Sequence, residues 1–290
     1  MKSKKWVLVL LIAAFIVTFY LYRLYDARNT DADAPHITID NAQLQVSVQD
    51  AENGLLRGVS AADAQDGNLT DKVVVENIQL INDDGLIEVS YAVADSAGNV
   101  AKATREVQYT DYNSPRFTLS EPLIYVEHDS FDIMSTVGAT DVLDGDIQHR
   151  IRATPLTEES IYSLGTHEIY FQVTNSIGDT SELILPVEVQ KSDWFEAELT
   201  LTTYLIYLPA GTEFHPNDYL GDFVHRKTTT SLRTGLPRDF YVQTAGEVLT
   251  NVPGVYPVEY RVTYTVRHET NPDYDQKFTG YSRLIVVVEG

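Results

Sequence analysis

At 290 residues with 43% apolar side chains and no cysteine, the chain is long enough for two or three globular domains and excludes disulfide frameworks, thiolate zinc sites and cysteine nucleophiles together. Its formal charge of -21 is spread unevenly, at +2 for residues 1–33, -19 for 34–190 and -4 for 191–290; an acidic body of that kind repels phosphate backbones and argues against nucleic acid as a partner. Eighteen tyrosines, 16 glycines and 11 prolines against two methionines favour strands and turns over helices.

In chain order, residues 1–5 carry Lys2, Lys4 and Lys5, and the seventeen residues from Trp6 to Tyr22 carry no charge. At about 1.5 Å per residue that run, lengthened to Tyr25 by a snorkelling Arg23, matches a hydrocarbon core roughly 30 Å thick. Trp6 at one end and Tyr20, Tyr22 and Tyr25 at the other stand where interfacial aromatics would. The sequence therefore predicts a cytoplasmic basic segment over 1–5, a transmembrane anchor over 6–25 and a linker over 26–33. The result would be a single-pass protein of the cell membrane with its C-terminal body outside, the membrane being its first partner. A cleaved signal peptide is the alternative, but the only small-x-small site, Ala32-Asp33-Ala34, lies well past the apolar run and precedes Pro35.

From residue 34 onward the chain repeats itself at a spacing of 80: Pro35 lies over Pro115, Gly85 over Gly165, Tyr91 over Phe171, Val93 over Val173 and Gly98 over Gly178. Apolar residues at every second position, Ile87, Val89, Tyr91 and Val93 in one copy and Ile169, Phe171 and Val173 in the other, predict a strand with one buried face. A glycine turn and a second alternating run complete a hairpin. A weaker third copy, "GVYPVEYRVTYTV" at 254–266, is closed by "YSRLIVVVEG" after a polar segment, "RHETNPDYDQKFTG". These boundaries predict domains over 34–111, 112–191 and 192–290. The expected fold class is all-β: three tandem immunoglobulin-like sandwiches of about seven short strands each after one N-terminal transmembrane helix.

Several motifs recur with this pattern: "PHITI" and "PRFTL" for the first strand, Phe131 in "SFDIM" before the second, Asp66-Gly67-Asn68 and Asp144-Gly145-Asp146, and Tyr91 to Asn99 on the penultimate strand. In these motifs residues 34–190 resemble the bacterial immunoglobulin-like repeats found in tandem on surface proteins and appended to certain pesticidal crystal proteins. Residues 195–290 resemble them loosely, with "PAGTEFHPNDYL" as the aromatic-bearing entry and "VHRKTTTSLRTG" where the acidic turn should stand. The resemblance implies a structural spacer or interaction rod at a bacterial cell surface, or an adhesin, and it says little about activity.

In an immunoglobulin-like frame the acidic turn joins the second and third strands at the same pole as the turn between the last two. That places Asp63, Asp66 and Asn68 near Asp95 and Asn99, and Asp141, Asp144 and Asp146 near Asn175 and Asp179, with Asp111 and Asn113 of the linker approaching the second pole. Such oxygen clusters are candidate Ca²⁺ ligands that would stiffen a rod. The competing reading is an Asp-Gly turn whose carboxylates bind local amides without metal. In the third domain the basic loop with Arg226, Lys227, Arg233 and Arg238, together with Tyr241, Trp194 and Tyr274, could meet a cell-wall polymer, a glycan or a surface protein. A solvated loop beside core aromatics is the plainer account. No phosphate-cradling glycine loop, paired-histidine metalloprotease motif or G-x-S-x-G elbow is present and the seven histidines show no ligand spacing, so no enzymatic activity is expected.

Overall fold

The computed structural model describes residues 2–29, 33–40, 43–127, 130–191, 197–270 and 272–290. Trp194 and the segment 192–196 around it lie outside the described residues, as do the side chains of Trp6 and of the lysines before it. Helix α1 runs over Lys2–Asn29. Among the described residues no helix is long and apolar enough to cross a membrane. This finding corrects the predicted single-pass placement and the transmembrane anchor over 6–25. It says nothing about strands as a route across a bilayer.

Beyond the helix the chain is built from strands and divides into two compact units, Met1–Tyr112 and Asn113–Gly290. In the first, β1 (His36–Ile39), β3 (Val59–Asp63) and β4 (Gly67–Asn68) form one sheet, while β2 (Gln43–Val46), β5 (Val74–Leu80), β6 (Leu86–Ala94) and β7 (Val100–Tyr109) form another in the order β2-β7-β6-β5. The alternation in β6 does what it predicts, since Ile87, Val89, Tyr91 and Val93 are all buried. Ile37, Val59 and Ala61 of the facing sheet, Leu69 just after it, and Val107 and Tyr109 of β7 are buried with them.

The second unit starts with the same arrangement. Strands β8 (Arg116–Leu119), β10 (Val137–Asp141) and β11 (Gly145–Asp146) make the small sheet, and β9 (Ile124–Val126), β12 (Arg152–Pro155), β13 (Gly165–Thr174) and β14 (Thr180–Gln190) make the larger one, ordered β12-β13-β14-β9. The remaining seven strands form a single sheet: β15 (Ala197–Leu201), β16 (Leu205–Pro209), β17 (Leu220–His225), β18 (Thr228–Ser231), β19 (Phe240–Ala245), β20 (Gly254–Val266) and β21 (Gln276–Glu289).

One connection occurs in all three strand sets. The first strand pairs antiparallel with its successor in the small sheet, and the chain then crosses to pair parallel with the last strand: β2 with β7, β9 with β14 and β16 with β21. In the third set β15 bonds both β17 and β21, so the two sheets fuse into one that wraps over. The wrap brings Phe223 of β17 within 5.3 Å of Phe240 of β19, edge to face. The hairpin β20–β21 is also longer than the sequence pattern suggests. "QKFTG", read as polar connection, pairs through Gln276–Gly280 with Val262–Val266. Polar residues tolerate an exposed strand end, and Gly280 fits where a Cβ would stand 3.1 Å from Leu199 Cβ and 3.2 Å from a Phe223 ring carbon.

Candidate functional site

The acidic turns resolve into the same local structure twice. Between Asp63 and Gly67, which pair across the hairpin, a three-residue loop ends on Gly67 at φ 74°, and Gly145 repeats this at φ 71°. Such loops need a left-handed residue at that point, which glycine adopts without a Cβ penalty. Asp63 Oδ1 accepts the amides of Gln65 at 2.7 Å and Asp66 at 2.9 Å; Asp141 Oδ1 accepts those of Leu143 at 2.8 Å and Asp144 at 2.9 Å. Asn68 and Asp146 then brace the entry to the following 3-10 turns by accepting the amides of Thr70 and Gln148, each at 2.9 Å.

The two turns at each pole do meet, through a serine that sequence reasoning missed. Asp66 accepts the Ser96 amide at 2.5 Å and its hydroxyl at 2.8 Å. Asp144 accepts the Ser176 amide and hydroxyl, both at 2.7 Å, and pairs with Arg150. Ser96 and Ser176 sit at the 80-residue spacing, which is the signal that could have found them. The partner turns close on themselves: Asp95 takes the Asn99 amide and side chain, each at 2.8 Å. Asn175 donates to Asp141 at 3.0 Å and accepts the amides of Ile177 at 3.1 Å and Asp179 at 2.9 Å. Asp111 is engaged inside the first unit, by Ser47 at 2.8 Å and the Val48 amide at 2.7 Å, and Asn113 is exposed in the second. Among the described residues no group of three His, Cys, Asp or Glu side chains converges as a metal site requires. The geometry is that of a staple between loops, in which Asp66 and Asp144 each accept from a serine with both oxygens.

The electrostatics agree. Burial pushes the Asp144 carboxyl up, but the Ser176 hydroxyl and amide and the Arg150 guanidinium outweigh it and hold it below the ordinary carboxylate range. A depressed carboxylate contributes stability that is complete above its unfolded value near 4 and is lost as pH falls through the folded value. Melting of the second unit is therefore expected to hold level down to about pH 4 and to drop below it, with Asp144→Asn flattening that drop. Asp144→Ala is expected to cost about 1 kcal/mol through the loss of the two Ser176 hydrogen bonds, whose donors are exposed and return to water. Millimolar Ca²⁺ is expected to leave the wild-type Tm in place, and an upward shift would favour the cation reading.

The basic residues of the third strand set are not assembled into one site. Arg226 and Lys227 form the two-residue turn between β17 and β18, both left-handed at φ 48° and 70°, with the Arg226 guanidinium 5.4 Å over the Phe278 ring. Arg233 pairs with Asp222 at 3.3 Å, Arg238 is exposed, and Tyr241, 63% exposed, stands on β19. Among the described residues no hydrogen bond, ion pair or ring contact joins any two of these five.

A better-formed concavity lies elsewhere in the second unit: a cleft of about 570 Å³ on the outer face of β19–β21, walled by Ile124 of β9 and by Glu188 and Gln190 of β14. Two register rows define its floor. Gln243, Arg261 and Tyr281 pair across one, and Ala245, Glu259 and Arg283 across the next but one, so all six side chains share a face. Arg283 is only 5% exposed; its Nη2 donates to Glu188 and, at 3.1 Å, to Glu259, whereas its Nε and Nη1 have no hydrogen-bond partner. Neither has Gln190 Oε1.

No protein-family model matches the chain, and no curated protein matches it. Similarity is found among solved structures. The CBM51-2 and INT domains of Clostridium perfringens ZmpB, in complex with GlcNAc, are 14% identical over 88% of this chain with a TM-score of 0.22, and the chain spans 41% of that one. Drosophila N-cadherin EC1-3 is 10% identical over 86% of this chain and 98% of its own, with a TM-score of 0.29. Mouse cadherin-23 EC22-24 is 12% identical over 89% of this chain and 99% of its own, with a TM-score of 0.20. At TM-scores this low the chains do not superpose as wholes.

Proposed function

We propose that this chain is a non-catalytic interaction protein in which the second unit acts as a rigid head, two sandwich-like strand sets locked together so that they present their surfaces as one body. The junction inside that unit carries the reading. The Phe117 amide donates to the Tyr207 hydroxyl at 2.8 Å, Arg116 stands 4.9 Å over the Tyr207 ring and 2.5 Å from Glu289, and one buried cluster extends from Phe117 to Val288. A flexible tether would show none of this. Likeness to bacterial immunoglobulin-like surface repeats, which rests on the residue pattern of 34–190, supports a spacer or recognition role of the same general kind. In this reading enzymatic chemistry has no part.

The junction is testable through Tyr207. Its hydroxyl is pushed up to about 12 by burial and by Glu289, against the pull of the Phe117 amide and Arg116. A raised phenol favours the protonated, folded form, so its stabilising share is complete below pH 10 and lost between about 10 and 12. Calorimetry of the full chain is expected to show a single transition for the second unit at neutral pH and a falling Tm across that alkaline window, a fall that Tyr207→Phe diminishes. Two separate transitions for residues 113–190 and 197–290 at neutral pH would defeat the rigid-head reading.

A further inference from the structure

We infer that the cleft between β14 and the β19–β21 face is a binding site for a short neutral saccharide. Its volume of about 570 Å³ falls inside the range of roughly 300–1,000 Å³ usual for small-molecule sites. Its chemistry narrows the ligand class. The ionised side chains lining it are Glu188 and Glu259 against Arg261 and Arg283, two of each sign, so a charged ligand would bring unbalanced charge into a partly desolvated place. An apolar ligand would strip water from two carboxylates, two guanidiniums and two glutamines without replacing their hydrogen bonds.

A ligand that is uncharged and dense in both donors and acceptors meets neither penalty, and hydroxyl groups provide that combination. Arg283 is nine-tenths buried and lines the cleft, its Nε and Nη1 lack acceptors, and Gln190 Oε1 in the same lining lacks a donor, so the wall holds unmet hydrogen-bonding capacity of both kinds that a small side-chain shift would turn to a ligand. Apolar surface is supplied by Ala245 and Tyr281 on the floor, the Tyr281 ring already braced by Arg261 at 4.9 Å, and by Ile124 on the wall, so sugar C–H groups have a surface to lie on. An extended peptide is the weaker occupant, because the floor consists of side chains on a sheet face and the interior strands β20 and β21 have paired backbones on both sides.

The site differs from the Arg226–Tyr241 region, and it stands whether or not the second unit unfolds as one body, which calorimetry decides separately. The test titrates the full chain with lactose, cellobiose, maltose and N-acetyllactosamine, with glucuronate and glucosamine as charged counterparts and a neutral tetrapeptide as the polypeptide arm. Binding is read by ligand-observed NMR. At least one neutral disaccharide is expected to bind with a dissociation constant on the order of 10⁻³ M. Ala245→Trp, at an exposed position that fills the floor, should weaken it at least tenfold with an unchanged Tm, while Arg226→Ala and Tyr241→Ala leave it alone. If Ala245→Trp misfolds, Gln243→Ala serves, with a loss of severalfold. No binding by any neutral disaccharide, equal binding by the cleft variants, or stronger binding of a charged sugar or of the tetrapeptide would each overturn the assignment.

Discussion

Replacing Arg105 by alanine is expected to destabilise the first unit by about 3–5 kcal/mol, seen as a fall of roughly 15 °C in the first calorimetric transition with the second unmoved. The guanidinium is buried at 6% exposure with no carboxylate among its described partners. Its Nε donates to the Tyr91 hydroxyl at 2.8 Å, its Nη1 to the Arg57 carbonyl at 2.8 Å and its Nη2 to the Leu55 carbonyl, which Tyr91 also reaches at 2.6 Å. Desolvation is the first influence on Tyr91 and raises its hydroxyl, with Arg105 pulling it back. Cutting away the cation leaves two carbonyls and a phenol in the interior with one hydrogen bond between them. The repeat itself contains a comparison: Arg105 and Tyr91 correspond, 80 residues on, to Leu185 and Phe171, both fully buried and facing the same way. Tyr91→Phe combined with Arg105→Leu should therefore lose less than the sum of the single changes, by 1 kcal/mol or more. Strict additivity would mean that the two side chains act independently.

That pair shows where the sequence is legible and where it is not. The period-two alternation at Ile87–Val93 and Ile169–Val173 depends only on one face meeting a core, and both strands lie where it puts them. The repeat carries the pairing of acidic turn with hairpin turn, since Asp66–Ser96 recurs as Asp144–Ser176, the aspartates 78 residues apart and the serines 80. Arg105 offers no such signal. A basic residue in an alternating strand reads as an outward one, and only the converging carbonyls of a different segment, Leu55 and Arg57, make burial tolerable. The cleft was illegible for a similar reason: Glu188 and Arg283 lie 95 residues apart, and no local pattern announces that β14 will stand over β21. At the N-terminus an uncharged run over 6–22 suggested a membrane span, and among the described residues the helix does not supply one.

Phe223→Ala is expected to lower the second transition by about 3–5 kcal/mol, roughly 10 °C, while the first stays in place. The side chain is 1% exposed and holds the wrap of the third strand set: β17 and β19 are distant in sheet order, and the chief described link between them is aromatic. Phe223 meets Phe240 at 5.3 Å and Tyr264 at 6.3 Å edge to face, while Phe240 and Tyr264 stack at 4.7 Å. Gly280 belongs to the same contact, because a Cβ there would stand only 3.2 Å from the Phe223 ring and press it aside by a few tenths of an ångström. Removing the ring opens a cavity that flanking strands, held by their ladders, can close only in part. It also frees β19, whose outer face floors the cleft through Gln243 and Ala245. If the cleft binds as inferred, Phe223→Ala should weaken saccharide binding as well as stability, whereas Phe171→Ala, equally buried in β13, should lower the same transition and spare the affinity of the folded protein. Equal losses of affinity in the two variants would mean that ligand binding follows the stability of the whole unit rather than the shape of this one sheet.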